Sequence, residues 1–206
     1  KSIFAEFAIL TDYIEKCFES GACCAVCEKP PINVQKPYIL VDSTLEAVKK
    51  IAKAYREKFN IPIVGVSGSV GKTSTKEMIY AVLSQKFKTH KTEGNLNNEL
   101  GVPLTILSMP ENTEAAVIEM GISDFGEMSR LAQIVQPTVC VLTIIGCCHL
   151  ENLGDRDGVC KAKTEMFKFA ADNAEFVLNG DDDKLAQITD VNGKKPIFFG
   201  LKNSNR

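Results

Sequence analysis

The segment between residues 64 and 74 combines glycines with a lysine and hydroxyl side chains at a spacing that suits a phosphate group. Glycines let backbone N–H groups turn toward phosphate oxygens, and the start of a following helix adds partial positive charge. In such a loop Lys72 reaches the β- and γ-phosphates of a nucleotide, and the hydroxyl of Thr73 binds Mg²⁺. The candidate nucleotide-binding residues are Gly68, Ser69, Val70, Gly71, Lys72, Thr73 and Ser74.

This loop is shorter than the full phosphate-loop consensus, because Val66 stands where that consensus has its first glycine. The chain retains the G-x-x-G-K-T core. The alternative interpretation is a glycine-rich turn that carries a solvated lysine. We favour nucleotide binding because the loop leaves a predicted strand and opens a predicted helix, which is the context that phosphate binding needs.

Two further candidates each follow a predicted strand. Glu119 closes the strand predicted over residues 115–120, and His149 follows the next predicted strand. The carboxyl ends of parallel strands face the crevice in which α/β proteins bind ligands, so both side chains are placed to hold a metal ion. A lone histidine is more often structural, and the position of His149 after a strand is what favours the functional interpretation.

The segment over residues 92–103 is rich in asparagine and contains Asn95, Asn97 and Asn98. Carboxamides both donate and accept hydrogen bonds, which suits a polar substrate. Asn179 opens an acidic turn over residues 179–183, for which a helix cap is an equal alternative. Lys163 lies on a predicted helix, and residue type alone does not distinguish it from a solvated lysine.

Strand-like and helix-like patterns alternate around these candidates and predict an α/β fold. The hydrophobic pattern predicts strands over residues 61–66, 115–120, 138–145, 175–179 and 196–200, and helices over residues 72–86, 125–136 and 157–171. This order predicts a mostly parallel sheet with helices on both faces. Residues 61–206 would form this larger, phosphate-loop domain.

Residues 1–60 have the pattern of a separate, small α/β domain. We predict helices over residues 12–20 and 42–59 and strands over residues 22–27 and 38–41, with a junction at Asn60. A lone C-x-x-C motif at Cys24 and Cys27 has no second pair at zinc spacing, so packing is favoured over a structural zinc site.

The composition of the 206 residues excludes several classes of protein. Hydrophobic residues make up 45% and charged residues 24%, which is typical of a globular protein. Lys and Arg number 24 against 26 Asp and Glu, and this balance argues against a nucleic-acid or anionic-membrane binder. No apolar stretch approaches the roughly 20 residues of a bilayer crossing. We expect a soluble, cytoplasmic protein.

Six motifs, in chain order, resemble those of the Mur ligase family. They occupy residues 68–74, 92–103, 119–121, 146–154, 161–167 and 179–183, so the resemblance extends over most of residues 61–200. Within the family, residues 93–99 and 119–126 are most similar to the ligases that add D-alanyl-D-alanine to UDP-N-acetylmuramoyl-tripeptide. They are less similar to the other Mur ligases and to folylpolyglutamate synthase.

The resemblance implies a set of roles for the candidates. Residues 68–74 would bind ATP, with Lys72 at the transferring γ-phosphate and Thr73 at Mg²⁺. Glu119 and His149 would be ligands of a second Mg²⁺, and Lys163 would carry a carbamate that binds metal. Lys72, Lys163 and His149 are thus the catalytic candidates. Asn179 would contact adenine, and three asparagines would approach the nucleotide sugar, namely Asn95, Asn97 and Asn98.

Family members are usually longer than this chain and have a third, C-terminal domain. The resemblance therefore implies a shortened nucleotide-sugar domain over residues 1–60, an incomplete central ATP-binding domain over residues 61–206, and no C-terminal ligase domain. It also implies small-molecule substrates and a monomer. Three alternatives stay open. They are another Mur-type ligase, another nucleotide-dependent enzyme such as a phosphotransferase, and a catalytically silent or fragmentary Mur-ligase-like nucleotide-binding module.

Overall fold

The computed structural model describes residues 14–31 and 36–201, which fall into two compact units divided after Ile51. The first unit contains helix α1 (Ile14–Glu19) and strands β1 (Ala25–Cys27) and β2 (Tyr38–Leu40), which pair in parallel. Helix α2 (Thr44–Arg56) begins in this unit and ends in the second. The start of the helix predicted over residues 12–20 lies outside the described residues.

The second unit is built on a sheet of six parallel strands. These are β3 (Ile63–Ser67), β4 (Thr89–Lys91), β5 (Ala115–Glu119), β6 (Val139–Leu142), β7 (Glu175–Asn179) and β8 (Ile197–Phe199). Their spatial order is β4-β5-β3-β6-β7-β8. The chain leaves β3 toward one edge of the sheet and leaves β6 toward the other, so a ligand-binding crevice is expected where these two strands end.

Helices connect the strands, and the sheet is covered on both faces. The helices are α3 (Lys72–Leu83), α4 (Gly101–Leu107), α5 (Glu127–Val135), α6 (Leu150–Leu153) and α7 (Arg156–Thr164). Helix α7 continues as a 3₁₀ segment (Glu165–Phe169). On one face Ile118 and Leu142 pack with Leu131 of α5. On the other face Val66 and Val117 pack with Ile79 and other residues of α3. The predicted α/β class is confirmed.

The main differences between the predicted and observed elements concern short or polar segments. Strand β4 was not predicted, because three residues that include His90 and Lys91 carry little hydrophobic pattern. Helix α4 was not predicted because Pro103 falls in its first turn, where proline is tolerated but looks like a helix breaker in sequence. The helix predicted over residues 157–171 is wrong in length, since α7 ends at Thr164.

The early end of α7 has a physical reason in the next residue. The carboxylate of Glu165 accepts hydrogen bonds from the N–H of Gly126 and from the hydroxyl of Ser129, at the start of α5. A carboxylate at a helix N-terminus satisfies otherwise unpaired N–H groups and the positive end of the helix dipole. This contact directs the chain into the 3₁₀ segment. Within residues 14–31 and 36–201, no helix is both long enough and apolar enough to span a bilayer.

Candidate functional site

The phosphate loop lies between β3 and α3, and its glycines permit a backbone that other residues would strain. Gly68 has φ of 147°, and an added Cβ there would lie 2.0 Å from Oγ1 of Thr143. Gly71, with φ of 81°, immediately precedes α3. Both positive φ values favour glycine. The loop therefore places its N–H groups and the N-terminus of α3 together at the end of β3, which is the geometry that binds phosphate.

Lys72 is half-buried and folds back over the loop. Its Nζ donates hydrogen bonds to the carbonyl oxygens of Gly68, at 2.9 Å, and Ser69, at 3.3 Å. The residue just after β6 also holds the loop. The hydroxyl of Thr143 donates a hydrogen bond to the carbonyl oxygen of Val70 at 2.6 Å. The lysine ammonium is thus held at the loop without a carboxylate partner among the described residues, so its charge is available to an anion.

A buried carboxylate joins the phosphate loop to the end of the neighbouring strand. Glu119, the last residue of β5, is 1% exposed. Its Oε2 accepts a hydrogen bond from the hydroxyl of Thr73 at 3.0 Å, and its Oε1 accepts one from the carboxamide of Asn97 at 2.7 Å. Three predicted site residues from separate parts of the sequence therefore meet at this carboxylate.

Oxygen donors of this kind fit a magnesium ion. Mg²⁺ prefers oxygen ligands and is commonly held by one or two carboxylates together with substrate phosphates and water. The Thr73 hydroxyl and the Glu119 carboxylate supply such a pair beside the phosphate loop. In the described part of the chain no three His, Cys, Asp or Glu side chains are grouped closely enough to hold a metal by themselves. The remaining ligands of a metal here would come from phosphate and water.

Lys163 is a buried lysine on α7 and is 1% exposed. The pKa of Lys163 is lowered from 10.5 to about 8, mainly by burial and to a smaller extent by the charge of Lys72, while Cys148 opposes the change. A lowered pKa leaves a larger fraction of neutral amine, which is the nucleophilic form of a lysine.

The loop after β6 contacts the phosphate loop through Ser69. The N–H of Gly146 donates to the hydroxyl of Ser69 at 2.9 Å, and the thiol of Cys148 lies 3.2 Å from the same oxygen. His149 follows with φ of 52° and an exposed side chain, immediately before α6. Its ring forms no hydrogen bond or ion pair with residues 14–31 or 36–201. Among the described residues, His149 and Glu119 therefore share no hydrogen bond or ion pair.

The amide-rich segment, residues 92–103, has two kinds of asparagine. Asn97 is half-buried and holds Glu119, whereas the Asn98 carboxamide accepts a hydrogen bond from the N–H of Gly101 at 2.8 Å, at the start of α4. Asn95 is exposed. Of the three, Asn95 is therefore the one whose side chain is open to solvent and is not used by the fold in these contacts.

Asn179 ends β7 and starts the acidic turn. Its carboxamide oxygen accepts a hydrogen bond from the N–H of Asp181 at 2.9 Å. In the same turn Asp182 is buried and accepts hydrogen bonds from the N–H of Leu185, at 3.0 Å, and from that of Ile145, at 2.9 Å. The acidic turn therefore caps a short 3₁₀ helix and also fixes the loop after β6, beside the phosphate loop.

One site residue that the sequence did not indicate is Lys76, one turn after Thr73 on α3. It is buried, and its Nζ lies 3.9 Å from Oε2 of Glu119. A sequence signal existed in its spacing, because residues three apart on a helix share a face, so Lys76 had to lie on the Thr73 side of α3. A single sequence does not distinguish such a lysine from a solvated one.

Comparison with known proteins gives a consistent result. The family described as the Mur ligase middle domain matches residues 66–206. The chain belongs to the Mur ligase family. It is 42% identical, over 84% of its residues, to the UDP-N-acetylmuramoyl-tripeptide–D-alanyl-D-alanine ligase of Bacillus subtilis. The predicted resemblance is confirmed.

Solved structures of this family have the same fold. A crystal structure of MurF from Acinetobacter baumannii has a TM-score of 0.85 and is 32% identical over 94% of this chain. A MurF ligase from Thermotoga maritima, solved in complex with ADP, has a TM-score of 0.83 and is 35% identical over 93% of this chain. The chain spans 38% of the length of its Bacillus subtilis relative and 43% of the Acinetobacter baumannii chain.

Proposed function

We propose that the chain provides the nucleotide-binding part of an ATP-dependent ligase that joins D-alanyl-D-alanine to UDP-N-acetylmuramoyl-tripeptide in peptidoglycan precursor synthesis. The hydrogen bond of Thr73 to Glu119 carries this proposal, because it unites a phosphate loop with a buried carboxylate at the end of the next strand. The similarity to the Bacillus subtilis ligase named for these substrates supports their choice.

In this proposal the phosphate loop holds the ATP phosphates through the N–H groups of residues 68–74. Lys72 leaves its contacts with the carbonyls of Gly68 and Ser69 and donates to the γ-phosphate instead. Thr73 and Glu119 would hold Mg²⁺. When bound, this ion offsets negative charge on the transferring phosphoryl group.

The reaction proposed for the site conserves atoms and charge in two steps. A carboxylate oxygen of the tripeptide substrate attacks the γ-phosphorus of ATP, the bond to the bridging oxygen breaks, and ADP leaves. The amine of D-alanyl-D-alanine then attacks the carbonyl carbon of the acyl phosphate and gives up a proton. Inorganic phosphate leaves with the oxygen that came from the carboxylate. An amide bond remains.

Lys163 is proposed to act as a carbamate. Its neutral amine attacks carbon dioxide, loses a proton, and becomes an anion that can bind metal. The burial of Lys163 and its lowered pKa of about 8 support this step, because they increase the neutral fraction of the amine. An unmodified ammonium in this position would repel a metal ion held at Glu119.

The remaining assignments complete the substrate site. Asn179 would contact adenine, and the nucleotide sugar would approach the amide-rich segment, where the exposed Asn95 is free to bind it and Asn97 and Asn98 shape the backbone. His149 stays a predicted ligand of a second Mg²⁺. Residues 1–60 stay a predicted nucleotide-sugar domain, residues 61–206 a predicted central ATP-binding domain, and the monomeric state and cytoplasmic location also stay predictions.

A catalytically silent Mur-type module is the main alternative, and another Mur-type ligase is the second. Assays of phosphate release, with ATP and Mg²⁺ and with each substrate omitted in turn, separate these functions. They should use the chain and the product of the complete reading frame that encodes it. Release that needs both substrates, with a UDP-linked pentapeptide found by mass spectrometry, is the expected result. Nucleotide binding without release in either protein would favour the silent module.

A further inference from the structure

Lys76 carries a buried positive charge whose contacts reach beyond the phosphate loop. Lys76 is 1% exposed and lies on the face of α3 that also carries Thr73. The Nζ donates a hydrogen bond to the carbonyl oxygen of Thr92 at 2.7 Å and a longer one to that of Gly94 at 3.5 Å. It also pairs with Glu77, at 3.2 Å, on the exposed side of the helix.

The charge of Lys76 has a cost that packing alone does not explain. Removing an ammonium from water is unfavourable, and an apolar side chain of similar volume often fills such a place with equal or better stability. Apolar residues of α3 do cover the sheet nearby, including Ile79 and Leu83. A lysine at this position therefore points to a use for its hydrogen bonds, and those bonds end on the backbone of the amide-rich segment.

These hydrogen bonds belong to a closed hydrogen-bond network around Glu119, called the circuit below. Lys76 holds the carbonyl of Thr92, whose hydroxyl accepts the N–H of Glu119 at 2.9 Å. The Glu119 carboxylate in turn accepts the hydroxyl of Thr73, at 3.0 Å, one turn before Lys76 on α3. Its other oxygen accepts the carboxamide of Asn97. The circuit links the phosphate loop to residues 92–97 through side chains on three different elements.

We propose that Lys76 is a positioning residue that holds residues 92–97 against the phosphoryl-transfer site and thereby sets the affinity for the nucleotide sugar. The inference rests on the proposed function, in which that segment receives this substrate. Lys76 donates two hydrogen bonds to the backbone of the segment, whereas its Nζ approaches the carboxylate of Glu119 only at 3.9 Å. Its loss should therefore affect the nucleotide sugar more than ATP.

The kinetic test is made in the product of the complete reading frame. It compares Lys76→Met, Lys76→Arg and the control Lys86→Met, which changes an exposed lysine just after α3. For Lys76→Met, KM for the nucleotide sugar should rise about 10-fold or more, since hydrogen bonds from a buried charge are lost. KM for ATP should rise by a smaller factor, because the 3.9 Å approach of Nζ to Glu119 is longer than a hydrogen bond. Lys76→Arg keeps the charge and the donors and should recover most of the loss.

Three kinetic results would overturn the inference. One is an unchanged KM for the nucleotide sugar in Lys76→Met. A second is a rise in KM for ATP as large as the rise in KM for the nucleotide sugar. A third is a KM for Lys76→Arg that is no better than that for Lys76→Met. If Lys76→Met does not fold, Lys76→Gln, which keeps one donor without the charge, replaces it in the same comparison.

Hydrogen exchange separates this inference from the proposed function. Amides of residues 92–97 should exchange faster in Lys76→Met than in the wild type and in Lys86→Met, with no substrate present. This measurement requires no catalysis. Absence of an amide product from the wild-type product of the complete reading frame would therefore refute the proposed function alone. Unchanged exchange at residues 92–97 would overturn the role of Lys76 whatever the activity.

Discussion

The hydroxyl of Thr73 donates a hydrogen bond to the buried carboxylate of Glu119, with 3.0 Å between the two oxygens. Thr73 lies in the first turn of α3, which follows β3, and Glu119 closes β5. The bond therefore joins the carboxyl ends of two neighbouring parallel strands. Both atoms of this pair are oxygens, so a metal ion could bind both of them in place of the hydrogen bond. The buried carboxylate would then still have a partner.

Replacing Lys72 by alanine should abolish turnover and leave the fold intact. Its ammonium contacts carbonyls within its own loop, so few tertiary contacts depend on it. Phosphate release and thermal unfolding are measured on the same preparations, with Lys86→Ala as an exposed control. Near-normal turnover in Lys72→Ala would refute the assignment of this loop to the transferred phosphate.

Replacing Lys163 by alanine should remove most activity, and short carboxylic acids should restore part of it. Such acids can occupy the cavity that the side chain leaves and supply the anion that the carbamate would provide. Lys161→Ala, on the exposed side of the same helix, is the control and should need no rescue. A fully active Lys163→Ala protein without added acid would contradict the carbamate.

Arg56 should be among the residues on which the stability of the larger unit depends most. Its guanidinium is buried and donates to the carbonyl oxygens of Phe59, at 2.8 Å, and Val135, at 2.7 Å. Arg56→Met leaves these acceptors unpaired and should lower the free energy of unfolding by about 3 kcal/mol. Denaturant unfolding measures this loss. The exposed Lys53→Met, on the same helix, should change it by less than about 0.5 kcal/mol.

Acid should destabilise the protein partly through His90. Burial lowers the pKa of His90 below its ordinary value of 6.5, although a hydrogen bond with the carbonyl of Thr105 opposes this change. As the pH falls from 6.5 toward the lowered value, the unfolded chain binds a proton before the folded one, and stability decreases. Above pH 6.5 this contribution is fully present.

Urea unfolding of wild type and His90→Gln, on both sides of this pH window, isolates the contribution. Glutamine can still donate to Thr105 but does not titrate, so the variant should lose less stability on acidification. Identical pH dependence in the two proteins would show that His90 plays no part in it.

Much of the fold could be predicted because it depends on local patterns. The strands around residues 63–67, 115–119 and 175–179 are apolar runs between turn residues, and the glycine loop has its own spacing rule. Segments with a weak hydrophobic pattern were missed, such as the three residues of β4. The helical pattern over residues 157–171 extends beyond the end of α7, because the side chain of Glu165 binds the start of α5.

Some residues that meet at the candidate site could be predicted from the sequence, but their pairings could not. Position after a strand was enough to select Glu119, since sheet topology fixes where strand ends lie. That Asn97 holds this carboxylate while Asn98 supports α4 depends on side-chain directions that a single sequence does not contain. The buried state of Lys76 and Lys163 likewise arises only from packing between distant segments.

The fate of one oxygen atom tests the central claim most directly. The tripeptide substrate is prepared with a heavy isotope at both oxygens of its terminal carboxylate. It is then incubated with ATP, Mg²⁺, D-alanyl-D-alanine and the product of the complete reading frame. If the carboxylate is phosphorylated, mass spectrometry should find one heavy oxygen in each released phosphate and the other in the new amide. Phosphate that carries no heavy oxygen would contradict the account, because water and not the substrate would then have attacked ATP.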